Sequence, residues 1–347
     1  MSRLHLDSEA WKESLPGVWI LGPAEAGAGL ERAVRATRLI LKGPTGTWWI
    51  DAGPDGPEEP HSPNHGLITH SHPDHFYGLP KQHASRFWLS HSNPQSWQHE
   101  NYVADFWTEY AQVCDLGSGI CREECIRAFP KLADWRQTSP TLWTQALLEA
   151  IRLRCRDLHA VPPPLGETQD LEKRPLEAIP IHGTTWYGWD LGDLVVLPTR
   201  GHAPDHVVAY WRPAQLWILG DELSAVPVWL DSDGWASAAF RAQLAAVLPD
   251  DAWVIGGHQG TLWKGALARQ TLTRTNLIWE NFEQRMRGCQ RIDEAYLQWA
   301  QSEPMHPILR RQVPHSILFA KQFMSNLLLK GTPPAGEPPQ WPWTRED

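Results

Sequence analysis

Residues 69–79 read Thr69-His70-Ser71-His72-Pro73-Asp74-His75-Phe76-Tyr77-Gly78-Leu79. They follow directly on Gly66-Leu67-Ile68, a short apolar run that suits a buried strand. In an extended segment side chains alternate, so His70, His72 and Asp74 share one side and His75 points elsewhere. Imidazoles and a carboxylate packed this densely behind a strand are borderline metal ligands held ready at one place. A lone His-x-His pair arises by chance on protein surfaces, whereas the full His-x-His-x-Asp-His run is a much more specific signal.

Outward from that run the chain alternates between two characters. Upstream, GVWILGP, ATRLILKGP and TGTWWIDAGP are apolar runs closed by Gly and Pro, which read as strands joined by tight turns, the third ending on Asp51. From about 95 to 158 apolar residues are spaced on a polar background, as in SWQHENYVADFWTEYAQV and TLWTQALLEAIRLRCRDL, the period of helices. Residues 161–175, rich in Pro, read as a connector. Strands return from about Ile179 in TTWYGWDLG, DLVVLPT, HVVAYW and LWILGD, then a helix in GWASAAFRAQLAAVLP and a strand in AWVIGGH. Residues 262–330 read as several helices, and 331–347 as a Pro-rich extended tail. No internal repeat is visible. Strands in both halves with helices outside them predict a layered α/β sandwich.

Three further residues stand where predicted strands end: His202 after VVLPTRG, Asp221 after LWILG and His258 after WVIGG. Taken singly, a His beside a Gly turn or an Asp after Gly is an ordinary structural residue. Shared placement behind strands, together with the 70–75 cluster, favours convergence at one sheet edge.

The run THSHPDHFYGL resembles the metal-binding signature of the metallo-β-lactamase superfamily, and Asp51, His202, Asp221 and His258 fall in that family's order over about Gly17 to Gly260. The resemblance implies a four-layer αββα sandwich with two divalent transition-metal ions at one edge of the facing sheets, zinc foremost, with iron or manganese as alternatives. By motif position His70, His72 and His202 would hold one metal, Asp74, His75 and His258 the other, and Asp221 would bridge them. Asp51 would support the ligands by hydrogen bonding. Two such cations about 3.5–4 Å apart share a water and lower its pKa toward roughly 7, providing a bridging hydroxide. The implied reaction is hydrolysis, with the oxyanion stabilised electrostatically and Asp74 or a water passing a proton to the leaving group. The implied organisation is a catalytic domain over 1–262 that includes a helical insertion at about 95–158. A helical C-terminal extension over 263–330 and the tail at 331–347 follow.

Departures from the family pattern narrow the branch. Asp221 stands where class B β-lactamases commonly carry Cys, which argues against antibiotic hydrolysis. Tyr77 replaces the first Gly of a common Gly-Gly pair and either contacts substrate or fills space. Asp205 replaces a common Gly, and GHAPDHVVAYW with LGDEL looks more like thioesterase-type members with a helical C-terminal region. His206 is either a residue behind the ligands or against the substrate, or a buried structural histidine. The expected substrate is therefore a small, partly apolar or aromatic molecule with an ester-like bond, a thioester or lactone. The alternatives are a phosphodiesterase or nuclease of the same fold, and a metal-containing sensing or interaction protein with little turnover.

Composition supports the small-molecule reading. With 31 basic and 40 acidic residues, net charge −9 and no polybasic run, nucleic acid and anionic membranes are poor partners. The first residues, MSRLHLDSEAWKESLPGVWIL, carry acids where a signal peptide needs a basic region and an unbroken apolar run, which predicts a cytoplasmic protein. Cys114, Cys121, Cys125, Cys155 and Cys289 show no CxxC pair and read as reduced, buried thiols, with a second metal site at 114–155 the less favoured reading. The 21 Trp are spread over every segment and read mainly as core packing, with some of those in the two helical additions lining an apolar substrate tunnel as the alternative. The additions themselves read as a lid or wall over the site or, alternatively, as a homodimer interface or decoration that completes the core.

Overall fold

The structure is a computed structural model, and it describes residues 11–22, 36–51, 61–76, 86–90, 130–154, 167–223 and 232–286, with Arg122 and Ile126 as single helical residues. Tyr77, the cysteines, Trp97, Trp107, Trp299 and the tail lie outside the described residues. Two sheets of seven described strands each organise the chain. The first runs in sequence order through β1 (Lys12–Leu15), β2 (Val18–Leu21), β3 (Arg38–Gly43), β4 (Gly46–Ile50), β5 (His65–Leu67), β6 (Arg86–Leu89) and β7 (Glu167–Asp170). The second follows the same rule through β8 (Glu177–Ile181), β9 (Thr184–Asp190), β10 (Leu194–Pro198), β11 (Val207–Trp211), β12 (Leu216–Ile218), β13 (Trp253–Ile255) and β14 (Trp263–Lys264). Described helices are α1 (Pro73–Phe76), α2 (Pro140–Arg154), α3 (Gly234–Val247) and α4 (Gly265–Met286).

Apolar runs with little polar interruption form the inner strands β2, β4, β10, β11, β12 and β13, because both of their faces are covered. Leu39 and Leu41 of β3, Trp48 and Ile50 of β4, Leu194 and Val196 of β10 and Trp211 of β11 point into the space between the sheets. Their neighbours point the other way. Val195, Leu197, Val208 and Trp217 meet Phe240 and Leu244 of α3 and Leu272 of α4. Ile40, Trp49 and Phe87 pack with Phe76 of α1 on the outer face of the first sheet. Helix, sheet, sheet and helix therefore stack as four layers. Trp48, Trp49, Trp186, Trp211 and Trp217 are fully buried in these layers, so among the described residues the tryptophan excess is mainly packing.

In the insertion, a single 3₁₀ turn (Pro130–Trp135) and α2 bear out the helical period. Trp143 of α2 is fully buried, with the Arg122 guanidinium over its ring. Three strands correct the sequence reading. β7 lies inside the stretch expected to be a connector, β14 stands where a helix was expected to begin, and β1 falls in an unassigned segment. All three are sheet edges, where one side faces no partner strand and polar sequences such as KESL and ETQD are tolerated. β14 pairs with β13, so the second sheet includes residues 263 and 264. β6, with the sequence RFWL, was unassigned because so short a run carries no period.

Candidate metal centre

Asp51 follows β4, the 70–75 run follows β5, His202 follows β10, Asp221 follows β12 and His258 follows β13. β4 is parallel to β5 and β12 to β13, while β10 reaches β12 through two antiparallel steps. Within each sheet the chain therefore leaves these strands in one direction and brings the residues to one edge. The sheets are tied there by the Val207 amide donating to the Thr69 carbonyl at 2.8 Å.

The first sheet's contribution is local. Asp51 takes a left-handed conformation, φ 55°, which aims its carboxylate back over the sheet end. It accepts from the Thr69 amide at 2.8 Å and the Thr69 hydroxyl at 2.9 Å. It also accepts from His75 Nδ1 at 2.9 Å, which turns His75 Nε2 toward the cluster. Thr69 Oγ1 also lies 3.1 Å from His70 Nδ1. The run is not extended throughout, as the alternation argument assumed. Pro73 starts α1, its fixed φ suiting the first position of a helix, so Asp74 and His75 sit on a helical turn.

The second sheet supplies its residues singly. His202 Nε2 lies 3.0 Å from His72 Nδ1 and 3.4 Å from Asp221 Oδ2. Asp221 Oδ2 is 3.2 Å from His258 Nε2, and Asp221 Oδ1 is 3.4 Å from His75 Nε2. Asp74 Oδ2 lies 3.3 Å from His258 Nε2. Three groups have donor atoms within 4.8 Å of one another: His70, His72 and His202; His70, His75 and Asp221; Asp74, His75 and His258. All seven residues singled out as ligands in the sequence meet here. Gly220 has φ 47°, and a Cβ there would stand 2.7 Å from His206 Nε2, so the turn presenting Asp221 needs glycine.

His206 resolves the alternative left open for it. Its Nε2 accepts from the Asp221 amide at 3.2 Å, and its Nδ1 pairs with Thr199 Oγ1 at 2.8 Å. With both nitrogens engaged it stands behind the ligands. Burial pushes its pKa down to about 3, consistent with a neutral ring. His182 packs on Tyr210 and Trp217, and Trp186 on Phe240, in the α3 layer away from the cluster.

Charge is balanced inside the cluster. Burial holds His70 and His202 well below the ordinary imidazole value, which leaves lone pairs for coordination. Burial also acts to lower His75, but the carboxylates of Asp51, Asp221 and Asp74 hold it well above. His258 is raised, with burial opposed by Asp221 and Asp74. Burial acts to raise Asp221, but the protonated His258 and His75 hold it well below its ordinary value. A cation among these carboxylates would take over the charge that protons on His75 and His258 otherwise supply.

The donors fit such a cation. His70 Nε2, His75 Nε2 and Asp221 Oδ1 are buried and make no hydrogen bond among the described residues. His75 Nε2 and Asp221 Oδ1 lie 3.4 Å from each other, and His70 Nε2 has no hydrogen-bond partner among the described residues. A buried polar atom without a hydrogen bond costs about 1–3 kcal/mol, so the cluster calls for a ligand. Sequence reasoning missed Thr69, which touches Asp51, His70 and His75. It also passed over Glu222, whose Oε1 accepts from the His202 amide at 3.0 Å. A usable signal existed for Glu222's partner, Arg241, the one charged residue in GWASAAFRAQLAAV.

No family model and no curated protein matches the sequence. Solved structures do. A metallo-β-lactamase family protein from Thermus thermophilus superposes with TM-score 0.51 at 17% identity, covering 94% of this chain and 97% of that one. A stereoselective inverting sec-alkylsulfatase from Pseudomonas sp. gives TM-score 0.53 at 15% identity, over 92% of this chain and 50% of that one. A double mutant of the sec-alkylsulfatase PisA1 gives 0.54 at 15% identity, over 92% and 50%. The chain thus spans half the length of the alkylsulfatases and nearly all of the Thermus protein. At these identities the likeness speaks to architecture, and over that span this chain has the metallo-β-lactamase fold.

Proposed function

We propose that the protein is a metal-dependent hydrolase with a dinuclear centre, acting on an ester-like bond, a thioester or lactone, of a small, partly apolar or aromatic substrate. The observation that carries the reading is that buried ring and carboxylate atoms of His70, His75 and Asp221 make no hydrogen bond among the described residues and lie inside a ring of further His and Asp side chains. In this reading His70, His72 and His202 would hold one ion and Asp74, His75 and His258 the other, and Asp221, which lies against His202 of the first group and against His75 and His258 of the second, would serve both. Two divalent ions bound there, zinc first and iron or manganese next, would supply a water ionised near neutral pH and a positive field for a developing oxyanion. Asp51 fixes the His75 tautomer by accepting its Nδ1 proton, as a supporting carboxylate does for a ligating imidazole.

The open side of the cluster belongs to Asp74 and His258, whose side chains are 18% and 25% exposed against 0% for His75. Substrate approaches from that side, where the Asp74 carboxylate is placed to take a proton and return it to the leaving group. Tyr77 follows α1 in sequence and remains the candidate substrate contact. Net acidity favours a small molecule over nucleic acid.

The test loads purified protein with Zn(II), Mn(II) or Fe(II) and measures hydrolysis of thioester, lactone, carboxylic ester, alkyl sulfate and phosphodiester probes. The alkyl sulfate is included because two structural neighbours are sec-alkylsulfatases. Turnover that is lost on chelation, restored by metal and fastest on thioester or lactone is expected. Fastest turnover on the phosphodiester would replace the proposal with the phosphodiesterase reading. No turnover on any probe by metal-loaded protein would leave a sensing or interaction protein.

A further inference from the structure

We propose that Glu222 is a positioning residue for His202, and that with His206 it forms a reciprocal clasp between the two loops that present His202 and Asp221. Each loop carries one of these residues and one side chain that holds the other's backbone. From the 220–222 turn, Glu222 Oε1 accepts from the His202 amide at 3.0 Å. From the 201–206 loop, His206 Nε2 accepts from the Asp221 amide at 3.2 Å. The His202 carbonyl is held too, by the Ser232 hydroxyl donating at 2.6 Å. Both backbone groups of His202 are thus fixed by side chains. A Cβ at Gly201 would overlap Glu222 Oε1, so the close approach of loop and carboxylate depends on glycine there.

Glu222 is itself anchored deep in the α3 and α4 layer. It is fully buried, its Oε1 also accepts from Ser237 Oγ at 3.1 Å, and its Oε2 faces Arg241 Nη1 at 3.5 Å. Arg241 Nε donates to Asn276 Oδ1 at 2.9 Å, and Asn276 Nδ2 donates to the Ala238 carbonyl at 2.8 Å. A continuous chain of contacts therefore runs from α4 through α3 to the amide of His202. A buried ion pair is a poor way to gain stability, because apolar residues fill such space without the desolvation cost. What an apolar pair could not do is hold the His202 amide. Helix α4 thereby becomes part of the framework of the site.

The metal aspect of this proposal rests on the dinuclear reading above, and the test separates the two. Two double variants remove both buried charges: Glu222→Gln with Arg241→Met, which keeps the acceptor oxygen, and Glu222→Leu with Arg241→Met, which deletes it. Zn(II) affinity is measured by competition with a chromophoric chelator, at matched thermal midpoints. The Leu pair is expected to bind zinc about 10–100-fold more weakly, the usual cost of losing support behind a ligand, while the Gln pair stays close to the parent. Equal affinities of the two variants overturn the proposal. Hydrogen exchange of metal-free wild-type protein gives a readout that needs no variant to fold: the His202 amide is expected to be protected, and exchange at an unprotected rate overturns the clasp. A protected His202 amide in a protein that takes up no zinc would refute the dinuclear reading and leave the clasp standing.

Discussion

The two halves of the candidate site are built differently. The half on the first sheet is compact: His70, His72, Asp74 and His75 come from one run, and Asp51 with Thr69 supports it across a single parallel strand pair. The half on the second sheet is dispersed: His202, Asp221 and His258 arrive from three strand ends, with Asp221 held by His206 and His202 held by Glu222 and the layer of α3 and α4 behind it. A local half keeps its geometry as long as one turn forms. A dispersed half is only as accurate as the long-range packing behind it.

Asp221 belongs to the dispersed half yet faces both groups, so its loss has the largest effect. Asp221→Ala is expected to lower hydrolysis by roughly 10³-fold or more, since bound metal supplies several kcal/mol of charge stabilisation, and metal analysis should show loss from both positions. Retention of both metals would mean that Asp221 does not bridge. Within the compact half, Asp51→Asn removes the carboxylate behind His75 Nδ1. Zinc affinity should fall about 10–100-fold at the His75 position alone, read from a two-step chelator titration. A uniform loss at both positions would blur the distinction between the halves.

Gly220→Ala probes the dispersed half through its backbone. The left-handed φ and the contact with His206 should cost roughly 1–3 kcal/mol in urea unfolding, with a weaker metal site as a consequence. The smallest effect lies at the opposite sheet edge, in the half-buried pair of Asp190 with Arg212. The hydrogen bond from Arg212 holds the Asp190 carboxyl below its ordinary value. Its stabilisation is therefore present above the unfolded carboxyl pKa of about 3.9 and lost as pH falls through the lower folded value. Asp190→Asn should remove less than about 1 kcal/mol, only above that range, with zinc affinity unchanged. A metal effect would show that the site reaches across the sheet.

The same contrast explains what the sequence disclosed. The compact half was legible because its chemistry and its spacing coincide in one run, and the strands around it are apolar on both faces. The ligands of the dispersed half were found by their position behind strands and by family resemblance, since no spacing rule links His202 to Asp221 or His258. What stayed hidden was what holds them. Glu222 sits in LGDEL as an ordinary turn acid, and only the fold buries it against Arg241. Thr69 stands out no more than any other residue at the head of the run, because a threonine behind an apolar stretch has no signature of its own. The edge strands β1, β7 and β14 escaped for a related reason: one unpaired side lets polar residues form them.

The central claim is that both halves together make a two-metal site, and metal stoichiometry tests it most directly. Wild-type protein loaded with Zn(II), freed of excess by gel filtration and analysed by inductively coupled plasma mass spectrometry should hold two equivalents per chain. One equivalent would contradict the dinuclear centre, and none after loading with Zn(II), Mn(II) or Fe(II) would contradict metal binding at this cluster altogether.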